Sequence, residues 1–250
     1  MKLTICNFHF AVASLLAVCA IGCDQRSSAK TAPLDATAIH GGGVIRGRII
    51  LDGPPPVMNE IRNQPCCDGA PTTLSEETVV IGANGGLANT FVYLEGLPRV
   101  NGQSLAPPLL DQVGCRYAPH TVGVCVGQPL RIRTSDATMH NVHFSPARNE
   151  SRNFGMISPG DEKSVTFREP EFIRVKCDVH PWMTAYVGVF ENPCFAVTDG
   201  DGTFELANLP AGKYKLVTWH ERYGRLEQDV EVNEAAPLKV DLKYAAPNNQ

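Results

Sequence analysis

The sequence predicts an all-β protein, and three observations carry that prediction. Short apolar stretches alternate with polar residues at period two, as in EFIRVKC (171–177) and MHNVHF (139–144), the pattern of half-buried strands. Turn signals separate them, among them Asn84-Gly85-Gly86 and Asp199-Gly200-Asp201-Gly202. The chain holds 22 Gly and 19 Pro, which suits many tight turns. With 250 residues, 43% hydrophobic and 19% charged, it can build one or two proper cores. A net charge of −4 gives no footprint for nucleic acid.

Residues 1–22 read as an export signal: Lys2, then FAVASLLAVCAIG, too short an apolar run for a comfortable span. Ala20-Ile21-Gly22 ahead of Cys23 resembles a bacterial lipobox, so Cys23 is the expected lipidation site, with ordinary signal cleavage as the alternative. A lipid anchor would hold the chain to a membrane of the bacterial envelope, facing the periplasm, without spanning it. Residues 23–42 lack periodicity and read as a flexible tether.

Residues 43–104 read as a β segment. GVIRGRIILDG (43–53) alternates as an edge-like strand and ends in a Pro-rich turn. Residues 58–75, with adjacent Cys66 and Cys67, read as loop. TVVIGANGGLANTFVYLEGLP (78–98) reads as two strands around a hairpin turn, and not as a phosphate loop, since no Lys-Ser/Thr follows it.

Residues 105–192 hold the chemistry. In CDVHPWM, Cys177, His180 and Met183 stand at C-x2-H-x2-M spacing. A thiolate, an imidazole and a thioether in one turn form a soft set that selects copper, and His140 is the first candidate for a fourth ligand. Strand parity puts Ile173, Val175 and Cys177 on one face, and His140, Val142 and Phe144 on one face. His143 has the opposite parity and reads as a surface histidine. Each of these residue types is also a common core filler; the spacing and the inward histidine together favour a metal site. Asn141 is expected to bond across to the Cys loop.

On these motifs the stretch from about Cys115 to Phe190 resembles the amicyanin and plastocyanin-like cupredoxin family. HNVHF and the C-x2-H-x2-M loop are found there, SPGDEKSVTFRE (158–169) is similar to its hairpin, and RYAPHTVGVCVGQPLRIRTSD (116–136) to its lead-in strands. The resemblance implies a Greek-key β-sandwich, with one type 1 copper on His140, Cys177 and His180 and an axial Met183. It also implies that His180 lies near the surface as the electron exit, with Pro181 and Trp182 in an apolar docking patch. The family usually has Pro before the second histidine; here it is Val179, whose N–H is expected to reach the Cys177 sulfur and raise the potential.

Residues 193–250 carry AVTDGDGTFELANLPAGKYKLVTWHERYG (196–224), which resembles the carboxypeptidase regulatory-like, transthyretin-like β-sandwich. Phe204, Leu206, Tyr214 and Leu216 supply core. Asp199 and Asp201 are turn residues rather than calcium ligands, too few oxygens being in sight. The first strands of that sandwich match GVIRGRIILDG and FVYLEG, so the copper domain is expected to be inserted into it; the alternative gives residues 78–96 to the copper domain. Of nine Cys, five remain once the signal pair, Cys23 and Cys177 are set aside, and Cys66 or Cys67 is expected to pair with Cys115.

The reading is a periplasmic electron-transfer protein, not an enzyme, whose partners by resemblance are a c-type cytochrome or a dehydrogenase. A catalytic copper enzyme needs further histidine ligands, and His120, His143 and His220 are scattered. Copper storage or delivery competes with this reading, as does a non-redox binding or structural role for the two sandwiches.

Overall fold

The first described strands are β1 (Leu34–Asp35), β2 (Gly43–Asp52), β3 (Glu60–Arg62), β4 (Thr73–Ser75), β5 (Phe91–Glu95) and β6 (Val100–Asn101). A central run follows: β7 (Leu109–Gln112), β8 (Tyr117–Ala118), β9 (Thr121–Cys125), β10 (Leu130–Thr134), β11 (His140–Ser145), β12 (Arg152–Met156), β13 (Glu162–Val165), β14 (Glu171–Lys176) and β15 (Thr184–Phe190). The last are β16 (Phe195–Val197), β17 (Thr203–Leu209), β18 (Gly212–His220), β19 (Gly224–Val232), β20 (Leu238–Lys239) and β21 (Leu242–Ala245). The computed structural model describes residues 39–67 and 72–246 and the backbone of 34–35, all within the unit Pro33–Gln250. The signal, Cys23 and most of the tether lie outside the described residues.

The fold is all-β, with two sandwiches. In the first, the sheet β13-β10-β7-β8 faces the sheet β12-β11-β14-β15-β9. Period two decides what goes between them: Val122, Val124, Leu130, Ile132, Val142, Phe144, Ile173 and Val175 all enter one core. In the second, the sheets are β16-β5-β18-β19 and β17-β2-β20, with β21 also on β2. Its separate core takes Ile45 and Ile49 from β2, Val92 and Leu94 from β5, Leu206, Leu216 and Tyr244. Strand β5 therefore pairs with β16 and β18, which follow the central run in sequence.

Three local expectations are corrected. Strand β2 is interior, flanked by β17 on one side and by β20 and β21 on the other. Its Arg46 and Arg48 look edge-like in sequence, but both are tied down, to the Glu205 carboxylate and to the carbonyls of Ala83 and Asp201. In residues 78–90 the expected hairpin turn is present but its two strands shrink to a single antiparallel bridge, Ile81 with Leu87, with Ala88 N donating to Val80 O and Gly82 N to Gly86 O. The turn at Ala83–Gly85 is a short 3-10 helix with Asn84 at φ 53°, and its backbone bonds to β2 through Leu87 N to Ile49 O. Residues 58–75 contain a small hairpin, β3 with β4, that buries Leu74.

Strand β5 explains how the sandwiches meet. Val92 and Leu94 face its own core, while Phe91 and Tyr93 face the other way, which is why FVYLE reads as a nearly continuous apolar run. Phe91 lies 5.4 Å from Phe172 of β14 and 5.6 Å from Phe190 of β15. Phe172 stacks on Trp219 of β18 at 4.3 Å and 8°. Glycines make room: a Cβ on Gly188 would come within 2.7 Å of the Phe190 ring and 2.9 Å of the Phe91 ring, and one on Gly123 within 2.2 Å of Phe195.

Candidate metal centre

Strands β11 and β14 place the first donors. His140 opens β11 and the loop after β14 begins with Cys177, both on the core faces of their strands and 0% and 2% exposed. The following turn closes on itself: Cys177 N donates to Met183 O at 3.1 Å and Met183 N to His180 O at 2.9 Å. That closure brings His180 and Met183 back into the same buried region. Tyr117 Oη, 2.8 Å from Asn141 O and 3.1 Å from Lys176 O, shares its one proton between β11 and β14.

The imidazoles meet edge to edge, with His140 Nδ1 2.9 Å from His180 Nδ1 and Cys177 Sγ 3.9 Å from His180 Nδ1. Two ring nitrogens so close need a proton or a cation between them. His140 Nε2 sits 2.9 Å from Asp136 Oδ2, so its N–H faces the carboxylate and its Nδ1 lone pair faces His180. This is the orienting arrangement of a metal-ligating histidine. Burial pushes the Cys177 thiol up, but His140 and the backbone N–H groups of Asn141, His180 and Val179 outweigh it and leave the thiol below its usual range. The His180 N–H reaches the sulfur at 3.4 Å. Burial opposes charge on His140 too, yet Cys177 and Asp136 raise it, while burial and then His140 lower His180. Two inward imidazole lone pairs, a thiol biased to thiolate and a buried thioether fit a soft transition-metal ion.

Other residues are placed as follows. Asn141 bonds across to the Cys loop: its Oδ1 accepts from Asp178 N at 2.6 Å and its Nδ2 donates to Asp178 Oδ2 at 2.9 Å. Asp178 also takes Lys176, His143 and Asn153, and Lys176 before all holds its carboxyl well below the usual carboxylate range. His143 is half-buried on Asp178, and His120 lies apart, between Glu221 and Glu77. Pro181 is exposed, but Trp182 is half-buried and donates its indole N–H to Cys115 O at 3.1 Å.

The expectation that His180 shows an edge to solvent is corrected: its side chain is 1% exposed. The segment ahead of β4 covers it. Cys67 is disulfide-bonded to Cys115, Arg116 bonds to Ser75 O and Glu77, and Cys66 Sγ rests 3.4 Å from His180 Nε2. Cys115 also lies near His140 and His180, but its sulfur is committed to the disulfide, which leaves Cys177 as the thiolate. Sequence reasoning missed Asp136 and Cys66. The four-residue offset of Asp136 from His140 is the sole local signal for the first; none marks the second.

No family model matches the chain, and no curated protein matches it. Parts of it are similar to solved structures of cupredoxins. A Cu(I) amicyanin variant matches with 21% identity over 40% of this chain and 98% of its own length, at TM-score 0.31. A purple cupredoxin from Nitrosopumilus maritimus matches with 19% identity over 34% and 100%, at TM-score 0.30. A Cu-containing nitrite reductase from Thermus scotoductus SA-01 matches with 20% identity over 34% of this chain but 23% of its own length, at TM-score 0.32. This chain thus spans a minor part of that enzyme.

Proposed function

We propose that the chain is a single-copper electron-transfer protein, in which His140 Nδ1, Cys177 Sγ and His180 Nδ1 would hold the copper and the buried thioether of Met183 would be a weaker fourth donor. The observation that carries this is the closed 177–183 turn, which buries a thiol biased to thiolate against two imidazoles facing each other at 2.9 Å. Copper held there would supply one-electron chemistry by alternating between Cu(I) and Cu(II). The chain's own part is to keep the donors fixed: Asp136 orients His140, Asn141 and Asp178 clamp the turn, and Tyr117 ties the two strands together. Low reorganisation follows from a site that the fold builds rather than the ion. On this reading the protein is a shuttle, not an enzyme, lipid-anchored at Cys23 in a bacterial envelope, with a c-type cytochrome or dehydrogenase as partner.

The docking face differs from Pro181 and Trp182 alone. Met139, Ile157 and Val179 are exposed by 52%, 66% and 40%. Met139 precedes His140, Ile157 follows its register partner Met156, and Val179 lies in the ligand turn. Small apolar patches of this kind suit transient redox complexes. The test is copper loading followed by gel filtration and a redox titration. One retained copper with a single one-electron wave is expected; a chain that retains no copper, or retains it without a reversible wave, overturns the proposal.

A further inference from the structure

The ring of His180 has a thiol at each nitrogen. Cys177 faces Nδ1, and Cys66 Sγ lies 3.4 Å from Nε2 on the opposite edge. Cys66 is free and exposed, and its neighbour Cys67 is buried in the bridge to Cys115. Donor atoms of Cys66, Cys67 and His180 all lie within 4.8 Å of one another. A tight turn, Cys67 N to Gln64 O at 3.0 Å, keeps the two adjacent sulfurs on this side.

We propose that the Cys67–Cys115 disulfide masks a second soft-metal site, formed by Cys66, Cys67 and the Nε2 edge of His180, that binds Cu(I) once a dithiol reduces the bridge. It goes beyond the electron-transfer reading and does not need metal at Nδ1. With the bridge intact, the group offers one thiol and one imidazole; a disulfide sulfur is not a thiolate and is a poor donor. In the reduction the Cys67–Cys115 bond breaks and a disulfide forms in the dithiol. Two electrons and two protons pass to the protein as the thiols of Cys67 and Cys115. Two adjacent thiols with the His180 ring then make a set that selects Cu(I); on binding, the thiol protons and the Nε2 proton of His180 leave to solvent, the ring bridging as imidazolate where Nδ1 also holds a metal. The exposed Cys66 sulfur provides the way in, while Cys67 and His180 supply a dry wall.

The test counts Cu(I) anaerobically on the full chain, in competition with a chromophoric chelator, before and after dithiothreitol treatment and desalting. One more equivalent is expected in the reduced form. Cys115→Ser, which cannot form the bridge, should take the extra equivalent without reductant, and adding Cys66→Ser should abolish it. Cys66→Ser alone keeps the disulfide and should show the same count in both forms. Equal counts for the two forms of the unmutated chain, or an extra equivalent that survives Cys66→Ser, overturn the proposal. So does extra copper that comes only with loss of the near-ultraviolet dichroism of the folded cores. The Cu(II) absorption of the disulfide form, and its loss in Cys177→Ser, report separately on the first site.

Discussion

The two sandwiches are built alike and treat their buried polar groups differently. In the second, buried polar side chains find partners within the protein. Thr218 Oγ1 meets Tyr244 Oη at 2.8 Å, Tyr244 donates on to Gly224 O, and His220 Nδ1 accepts from Arg222 N. Among the described residues one hydroxyl packed on this core, Tyr223 Oη, lacks a partner, and the clusters of Cys and His donors lie elsewhere, around His180. In the first, His140 and His180 turn lone-pair edges toward each other beside Cys177 and Met183, in the middle of an apolar core. A β-sandwich alone implies no chemistry; what distinguishes these two is whether the buried donors are satisfied from within.

The comparison can be broken most forcefully at the cover over His180. Cys67→Ser opens a loop of sequence separation 48, and loss of such a crosslink costs about 4 kcal/mol by chain entropy. Denaturant unfolding should show that loss, with faster alkylation of Cys66. No comparable change is expected from Cys194→Ser, a buried free thiol of the second sandwich.

The second sandwich has its own acid limit. Burial, then the charges of His120 and Arg222, lower the His220 pKa to about 4. The folded state thus prefers the neutral ring. Its contribution is fully present above the unfolded value near 6.5 and is lost as pH falls from there through about 4. A shift of this size corresponds to about 3 kcal/mol. Unfolding free energy measured from pH 7 to 4 should fall accordingly, and less steeply in His220→Gln.

The seam between the sandwiches gives a smaller effect. Gly188→Ala forces a methyl against the rings of Phe190 and Phe91 and should destabilise by about 2 kcal/mol, while leaving copper stoichiometry at one. Smallest is Asp136→Asn, which removes the carboxylate that orients His140. Copper affinity should drop by about tenfold, or about 1.4 kcal/mol, as read by chelator competition.

Much of this was legible in the sequence. Parity alone put His140, Val142 and Phe144 on one face and Ile173, Val175 and Cys177 on another, and all six are buried. The C-x2-H-x2-M spacing is local, so one turn displays it. What was not legible is non-local. Strand β2 looked like an edge because its neighbours, β17, β20 and β21, lie more than 150 residues away. The cover over His180 depends on the pairing of Cys67 rather than Cys66 with Cys115, which spacing cannot choose. The residues beside His140 and His180, Asp136 and Cys66, sit on turns without periodicity.

The most direct measurement is the visible absorption spectrum of the copper-loaded full chain beside its Cys177→Ser variant. An intense thiolate-to-copper charge-transfer band, absent from the variant, is the predicted result. A folded, copper-loaded chain without that band, or a band that survives in Cys177→Ser, would contradict the assignment of Cys177 as the ligand that makes this sandwich an electron carrier.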